Sequence, residues 1–138
     1  MKMVFADSFY WIARVHPRDQ GHEAAKKARE DLGEVQIVTT DEVLVEFLNA
    51  LSSKGEYLRR QAVKMVQTIL KDPDVVVVPQ SRDSFMNGLE LFKNRPDKEY
   101  SLTDCISMSV MWKEGLLEIL TGDHHFEQEG FTVLIRKV

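Results

Sequence analysis

Four consecutive valines, Val75-Val76-Val77-Val78, constrain the fold of this chain more than any other segment. β-branched side chains suit an extended backbone, and a continuous apolar run, with no alternation, reads as a strand buried on both faces. Sheets buried in that way are parallel and sandwiched between helices. The rest of the chain is organised to match. Met3-Val4-Phe5-Ala6 is a first short apolar run, Val35 to Thr39 a second, and Leu116 to Leu120 and Phe131 to Ile135 are the last two. Between them lie segments with helical character. Gln20 to Leu32 is rich in Ala, Lys, Glu and Arg and is stopped by Gly33. Thr40 or Asp41 caps a helix to about Ser52, with apolar residues at Val43, Leu44, Phe47, Leu48 and Leu51. After Gly55, Glu56 to Lys71 repeats the stripe through Leu58, Ala62, Met65, Val66 and Ile69. Ser81 to Phe92 and Thr103 to Lys113 read as helices, and Asp123 to Gln128 as a short helical turn. The alternation predicts a three-layer α/β/α fold around a central parallel sheet of about five strands, with residues 1–138 forming one domain.

Composition narrows the function classes. The single cysteine, Cys105, excludes an intrachain disulfide, and no signal-peptide pattern is present, so the expected compartment is the reducing cytoplasm. No apolar run approaches the roughly 20 residues of a membrane span, and no membrane association is expected. Lys and Arg number 18 against 22 Asp and Glu, a net charge of −4. That balance works against a sequence-independent coat on nucleic acid, which draws on a surplus of cations.

Ligands of open parallel sheets bind beyond the carboxyl ends of the strands. Asp7 directly follows the first strand, and Asp123 follows the Leu116–Leu120 strand across Thr121 and Gly122. Asp104 stands at the start of a helix, whose N-terminus faces the same edge in such folds. Glu46 lies at the boundary of its helix's apolar face, with Glu42 one turn earlier as its competitor. Carboxylates sharing a cleft repel one another, and a divalent cation offsets the repulsion. Hard oxygen ligands suit Mg²⁺ or Mn²⁺, and the paired Cys and His ligands that favour zinc are missing. Each acid also has a plainer reading. Asp7 and Asp123 suit a helix cap or turn, Ser101-x-x-Asp104 fits a capping box, and Glu46 suits a solvated helix face. Spacing alone leaves both readings open.

At these residues the chain resembles the PIN domains, in particular the VapC-like toxin ribonucleases. The resemblance runs through four motifs: the first strand with Asp7-Ser8; Glu46-Phe47-Leu48-Asn49-Ala50-Leu51; Tyr100-Ser101-Leu102-Thr103-Asp104-Cys105; and Leu120-Thr121-Gly122-Asp123-His124-His125-Phe126, closed by Gly130-Phe131. It implies a metal-dependent endoribonuclease, the toxin of a toxin–antitoxin pair. Its RNA-cutting site would hold one or two Mg²⁺ or Mn²⁺ ions on Asp7, Glu46, Asp104 and Asp123. Ser8, Thr103 and Thr121 match positions where the family often carries a hydroxyl near the acids. It further implies a small antitoxin protein as partner and a homodimer or higher homo-oligomer. With two dications bound, the formal charge rises from −4 to zero, so RNA engagement is expected to depend on the metal.

Other functions compete. A non-catalytic PIN-like module binding RNA or protein, or an RNA-maturation nuclease without a toxin role, would share these motifs. A dehalogenase-like phosphatase needs an Asp where Phe9 stands, and a receiver domain needs an acidic pair where only Asp7-Ser8 is found. His124 and His125 are expected to support the fold or the acids. Phe9-Tyr10-Trp11 is expected in the core or a dimer seam in preference to stacking on bases. Arg14 and Arg18, or the Lys93–Lys98 loop, are the cations expected nearest the RNA backbone.

Overall fold

Val4, Phe5 and Ala6 have no solvent exposure, because β1 (Lys2–Ala6) lies in the middle of a five-stranded sheet. The computed structural model describes residues 1–136. The other strands are β2 (Val35–Thr40), β3 (Val75–Val78), β4 (Glu118–Leu120) and β5 (Thr132–Val133), in the order β3-β2-β1-β4-β5. All pairings are parallel, with Val4 opposite Ile37, Phe5 opposite Ile119, Val38 opposite Val76 and Ile119 opposite Val133. The helices are α1 (Ser8–Val15), α2 (His22–Leu32), α3 (Asp41–Leu51), α4 (Glu56–Lys71), α5 (Arg82–Lys93), α6 (Leu102–Glu114) and α7 (His125–Gln128). They complete the expected three-layer α/β/α fold.

Local chemistry explains where the elements start and stop. The Thr40 hydroxyl accepts the Val43 N–H at 3.0 Å and so caps α3. Ser81 with Ser84, and Ser101 with Asp104, form reciprocal capping boxes at α5 and α6. Gly115, at φ 70°, ends α6 in the left-handed region, and the Leu116 N–H returns to the Met111 carbonyl at 2.8 Å. That closing turn uses Leu116, so β4 begins only at Glu118. α2 begins at His22 because Asp19 accepts the Gly21 N–H at 2.8 Å and holds Gln20 and Gly21 in a turn. Phe5, Phe47, Met108, Met111, Leu120 and Phe126 are sealed in the core.

The valine run departs from expectation. β3 is an edge strand, half-buried, with Val76 37% exposed. It pairs with β2 on one side only, so its unbroken apolar character does not mark a central position.

The strand order positions the site. The chain steps from β1 to β2 to β3 in one direction, then crosses back to place β4 and β5 on the other side of β1. The order reverses between β1 and β4, the place where open α/β sheets form a crevice at the strands' carboxyl ends. There the Asp7 N–H meets the Leu120 carbonyl at 3.3 Å.

α5 and α6 meet through a glycine. A Cβ on Gly88 would stand 2.3 Å from Ile106 Cγ1 and 3.2 Å from the Ile106 backbone. Gly88→Ala is therefore expected to lower stability by about 1–3 kcal/mol, outweighing the roughly 1 kcal/mol that alanine adds in a helix. Urea unfolding monitored by circular dichroism checks this, and an unchanged or higher midpoint contradicts it.

Candidate active site

Asp7 is the N-cap residue of α1, yet its side chain makes no capping bond. Its carboxylate is 3% exposed and turns to the crevice between β1 and β4. Oδ2 accepts the Thr121 hydroxyl at 3.0 Å, while Oδ1 is buried with no hydrogen-bond partner. Thr121, wholly buried just past β4, also accepts the Asp123 N–H at 3.1 Å. One hydroxyl thus fixes the Asp7 carboxylate and the Asp123 backbone. Asp123 in turn accepts the His125 N–H at 2.9 Å and starts the turn into α7. Gly122 between them lies against Phe9, whose ring a side chain here would have to displace, since a Cβ would stand 2.6 Å from its Cζ.

Ser8 donates its hydroxyl to Glu46 Oε1, tying α1 to α3. Glu42 is engaged elsewhere and accepts the Ser84 hydroxyl at 3.2 Å. Asp104 is 7% exposed, and its Oδ2 accepts the Ser101 N–H at 3.1 Å in the capping box. His125 Nδ1 lies 3.5 Å from Asp104 Oδ2 and 3.3 Å from Asp123 Oδ1. One ligand atom from each of Asp104, Asp123 and His125 falls within 4.8 Å of the others, a spacing that a metal ion can bridge.

The acids act on one another. Burial raises the Asp7 carboxyl from its ordinary 3.8 to about 7, helped by the charges of Asp104 and Glu46. Burial also raises Glu46, and Asp104 and Asp123 add to it against the Ser8 hydrogen bond. Asp104 moves the same way through burial and then Asp123, opposed by the Ser101 hydrogen bond and by His125. Among the described residues, no Lys or Arg lies within ion-pair distance of these four acids. The clustered carboxylates, an unpartnered buried Asp7 Oδ1 and, among the described residues, no Lys or Arg in balance fit a divalent cation, with His125 offering a nitrogen beside them.

The structure brings Asp7, Glu46, Asp104 and Asp123 to one crevice, with Ser8 and Thr121 bonded to them. Thr103 stands half-buried in the first turn of α6, and no hydrogen bond joins it to the acids among the described residues. Asp104 satisfies both of its readings at once, as capping-box partner and as a member of the cluster. Tyr10 and Trp11 are core residues. The expected basic contacts fare less well. Arg14 lines a cleft with Val35 and Ile37, near the amino ends of the strands and away from the acids. In the 93–98 loop, Lys98 lies 3.7 Å from Asp97 and Arg95 is bound to Glu129. The placement of His125 between two acids exceeds what its sequence context indicated.

Comparison with known proteins finds relatives of this chain in sequence and in fold. The PIN domain family model matches residues 4–131. The 23S rRNA-specific endonuclease VapC20 of Mycobacterium tuberculosis is 26% identical over 129 residues, covering 94% of this chain and 95% of the relative. The crystal structure of that toxin, which cleaves the sarcin-ricin loop, matches with a TM-score of 0.85 over 94% of this chain and 96% of its own. FitAcB of Neisseria gonorrhoeae shares the fold, with a TM-score of 0.68 at 12% identity over 96% of each chain.

The raised Asp7 value has a consequence for stability. A carboxyl whose folded pKa exceeds its unfolded one favours folding while protonated. Its contribution is complete below 3.8 and is lost as pH rises through about 7. Melting temperature in EDTA is expected to fall between pH 5 and pH 8, and Asp7→Asn to flatten that fall and melt higher than wild type at pH 8. Thermal melts across this range check it, and a wild-type midpoint that rises with pH contradicts it.

Proposed function

This chain belongs to the PIN-domain family, as its four motifs indicate, and we propose that it is a metal-dependent endoribonuclease acting as the toxin of a toxin–antitoxin pair. The observation that carries this reading is the convergence of Asp7, Glu46, Asp104 and Asp123 on one crevice without, among the described residues, a Lys or Arg to balance them. The resemblance to VapC20 over nearly the whole of both chains supports the toxin assignment.

Asp7, Glu46, Asp104 and Asp123 would hold one or two Mg²⁺ or Mn²⁺ ions. When bound, such an ion supplies Lewis acidity toward water and positive charge toward phosphodiester oxygens. The chain's own part is preorganisation. Ser8 fixes Glu46, and Thr121 fixes Asp7 while anchoring the backbone of Asp123. The capping box holds the Asp104 carboxylate by one oxygen. Burial of Asp7 and Asp104 keeps bulk water from competing for them.

The substrate is RNA. The activity of VapC20 makes 23S ribosomal RNA the first target to test. A small antitoxin that masks the crevice is the proposed partner. A homodimer is supported by an exposed apolar stripe on α5, formed by Phe85, Met86, Leu89 and Phe92. The protein would act in the cytoplasm, as a single domain. No helix among the described residues is long and apolar enough to cross a membrane.

Purified protein is expected to cut RNA in Mg²⁺ or Mn²⁺ and to stop in EDTA. Asp7→Asn and Asp104→Asn are each expected to abolish cutting while leaving the circular dichroism spectrum intact. Gel analysis of end-labelled RNA reads the outcome, and variants that cut at the wild-type rate sink the assignment. RNA bound tightly with no metal-dependent cutting would point to the binding-module reading instead.

A further inference from the structure

Arg95 grips Glu129 with two hydrogen bonds, Nε to Oε2 and Nη2 to Oε1, each 3.0 Å long. The Tyr100 hydroxyl donates to the same carboxylate at 2.8 Å. The Glu129 side chain is only 8% exposed, so this fork-shaped pair differs from the solvated ion pairs on the helix faces, such as Lys27 with Asp31. Arg95 keeps 36% of its side chain in solvent, so the definition of the pair comes from the buried Glu129 carboxylate and the two-pronged geometry that holds it.

The pair links two segments that each lead to an acid. Residues 94–101 form the approach to α6, which carries Asp104, and Glu129 closes α7, which follows Asp123. The link continues inward. The Tyr100 ring meets the His125 ring edge-on, with centroids 5.5 Å apart, and His125 Nδ1 reaches Asp104 at 3.5 Å and Asp123 at 3.3 Å. An unbroken path of contacts therefore runs from Arg95 through Glu129, Tyr100 and His125 to two of the clustered acids. Among the described residues, neither Arg95 nor Glu129 forms a hydrogen bond or ion pair with the acids themselves.

We propose that Arg95, Glu129 and Tyr100 form a positioning clamp that sets the separation of Asp104 and Asp123 and thereby the affinity of the site for a divalent cation. Partners beyond the direct ligands commonly tune metal sites in this way. The clamp rests on the metal reading given above, and the test separates the two. Glu129→Gln removes the charge at nearly constant shape. Tyr100→Phe removes the hydroxyl but keeps the ring against His125. Arg95→Lys keeps the charge and loses the fork.

Mn²⁺ titration followed by electron paramagnetic resonance, well below the melting temperature of each variant, reads affinity without reference to cleavage. Wild type is expected to bind Mn²⁺. Glu129→Gln and Tyr100→Phe are expected to bind it about 10-fold more weakly, and Arg95→Lys to fall between them and wild type. Cleavage by the variants is expected to recover toward the wild-type rate at saturating Mn²⁺. Folded variants that bind Mn²⁺ as tightly as wild type overturn the clamp and leave the metal reading standing. A wild-type protein that binds no Mn²⁺ overturns both.

Discussion

Desolvation of carboxylates, sharpened by their mutual repulsion, is the constraint around which this molecule is arranged. A single ionised acid is costly to remove from water, and a second beside it raises the cost again. Here four converge where the strand order reverses, and Asp7 carries the heaviest burden because it is the most deeply buried of them. A fold tolerates this arrangement only if something else holds the acids in place. That task falls to hydroxyls and backbone amides. They fix geometry without neutralising charge, so the negative potential stays available to a cation.

This division of labour explains several choices that look unrelated along the chain. Thr121 is small enough to be sealed beneath the crevice and still offers one donor and one acceptor. Gly122 leaves room for the Phe9 ring, which lies where a Cβ would project. Asp104 uses one oxygen to finish its helix cap, so the bond that starts α6 also orients the carboxylate. Local folding and assembly of the site are here the same event.

The sequence was most legible where the signal is local. Thr40, Ser101 and Gly33 announce helix ends because a cap or stop depends on a few neighbouring residues, and Val43, Phe47 and Leu51 are buried on the face their spacing defines. Strand order was not legible. The valines of β3 are apolar enough for a central strand, but pairing with β2 alone makes them an edge. In the site, acids placed just after strands pointed to Asp7 and Asp123, and helical phase pointed to Glu46. The bonds that orient them could not be read, since Ser8 reaches across 38 positions to Glu46 and Thr121 across 114 to Asp7. Arg95 and Glu129, 34 positions apart, carry no local sign of their pairing. Arg14 misled because closeness to Asp7 in sequence ignores the helix that carries it away.

The adjacency of β1 and β4 also fixes when the site comes into being. A ribosome delivers residue 7 first and residue 123 near the end of the described chain, and β1 has no β4 to pair with until then. An unfinished chain can lay β2 and β3 beside β1, yet it lacks the acid and the threonine that complete the crevice. The first acid thus waits for the threonine, 114 positions later, that orients it, and until that stretch of chain has been made the crevice is incomplete.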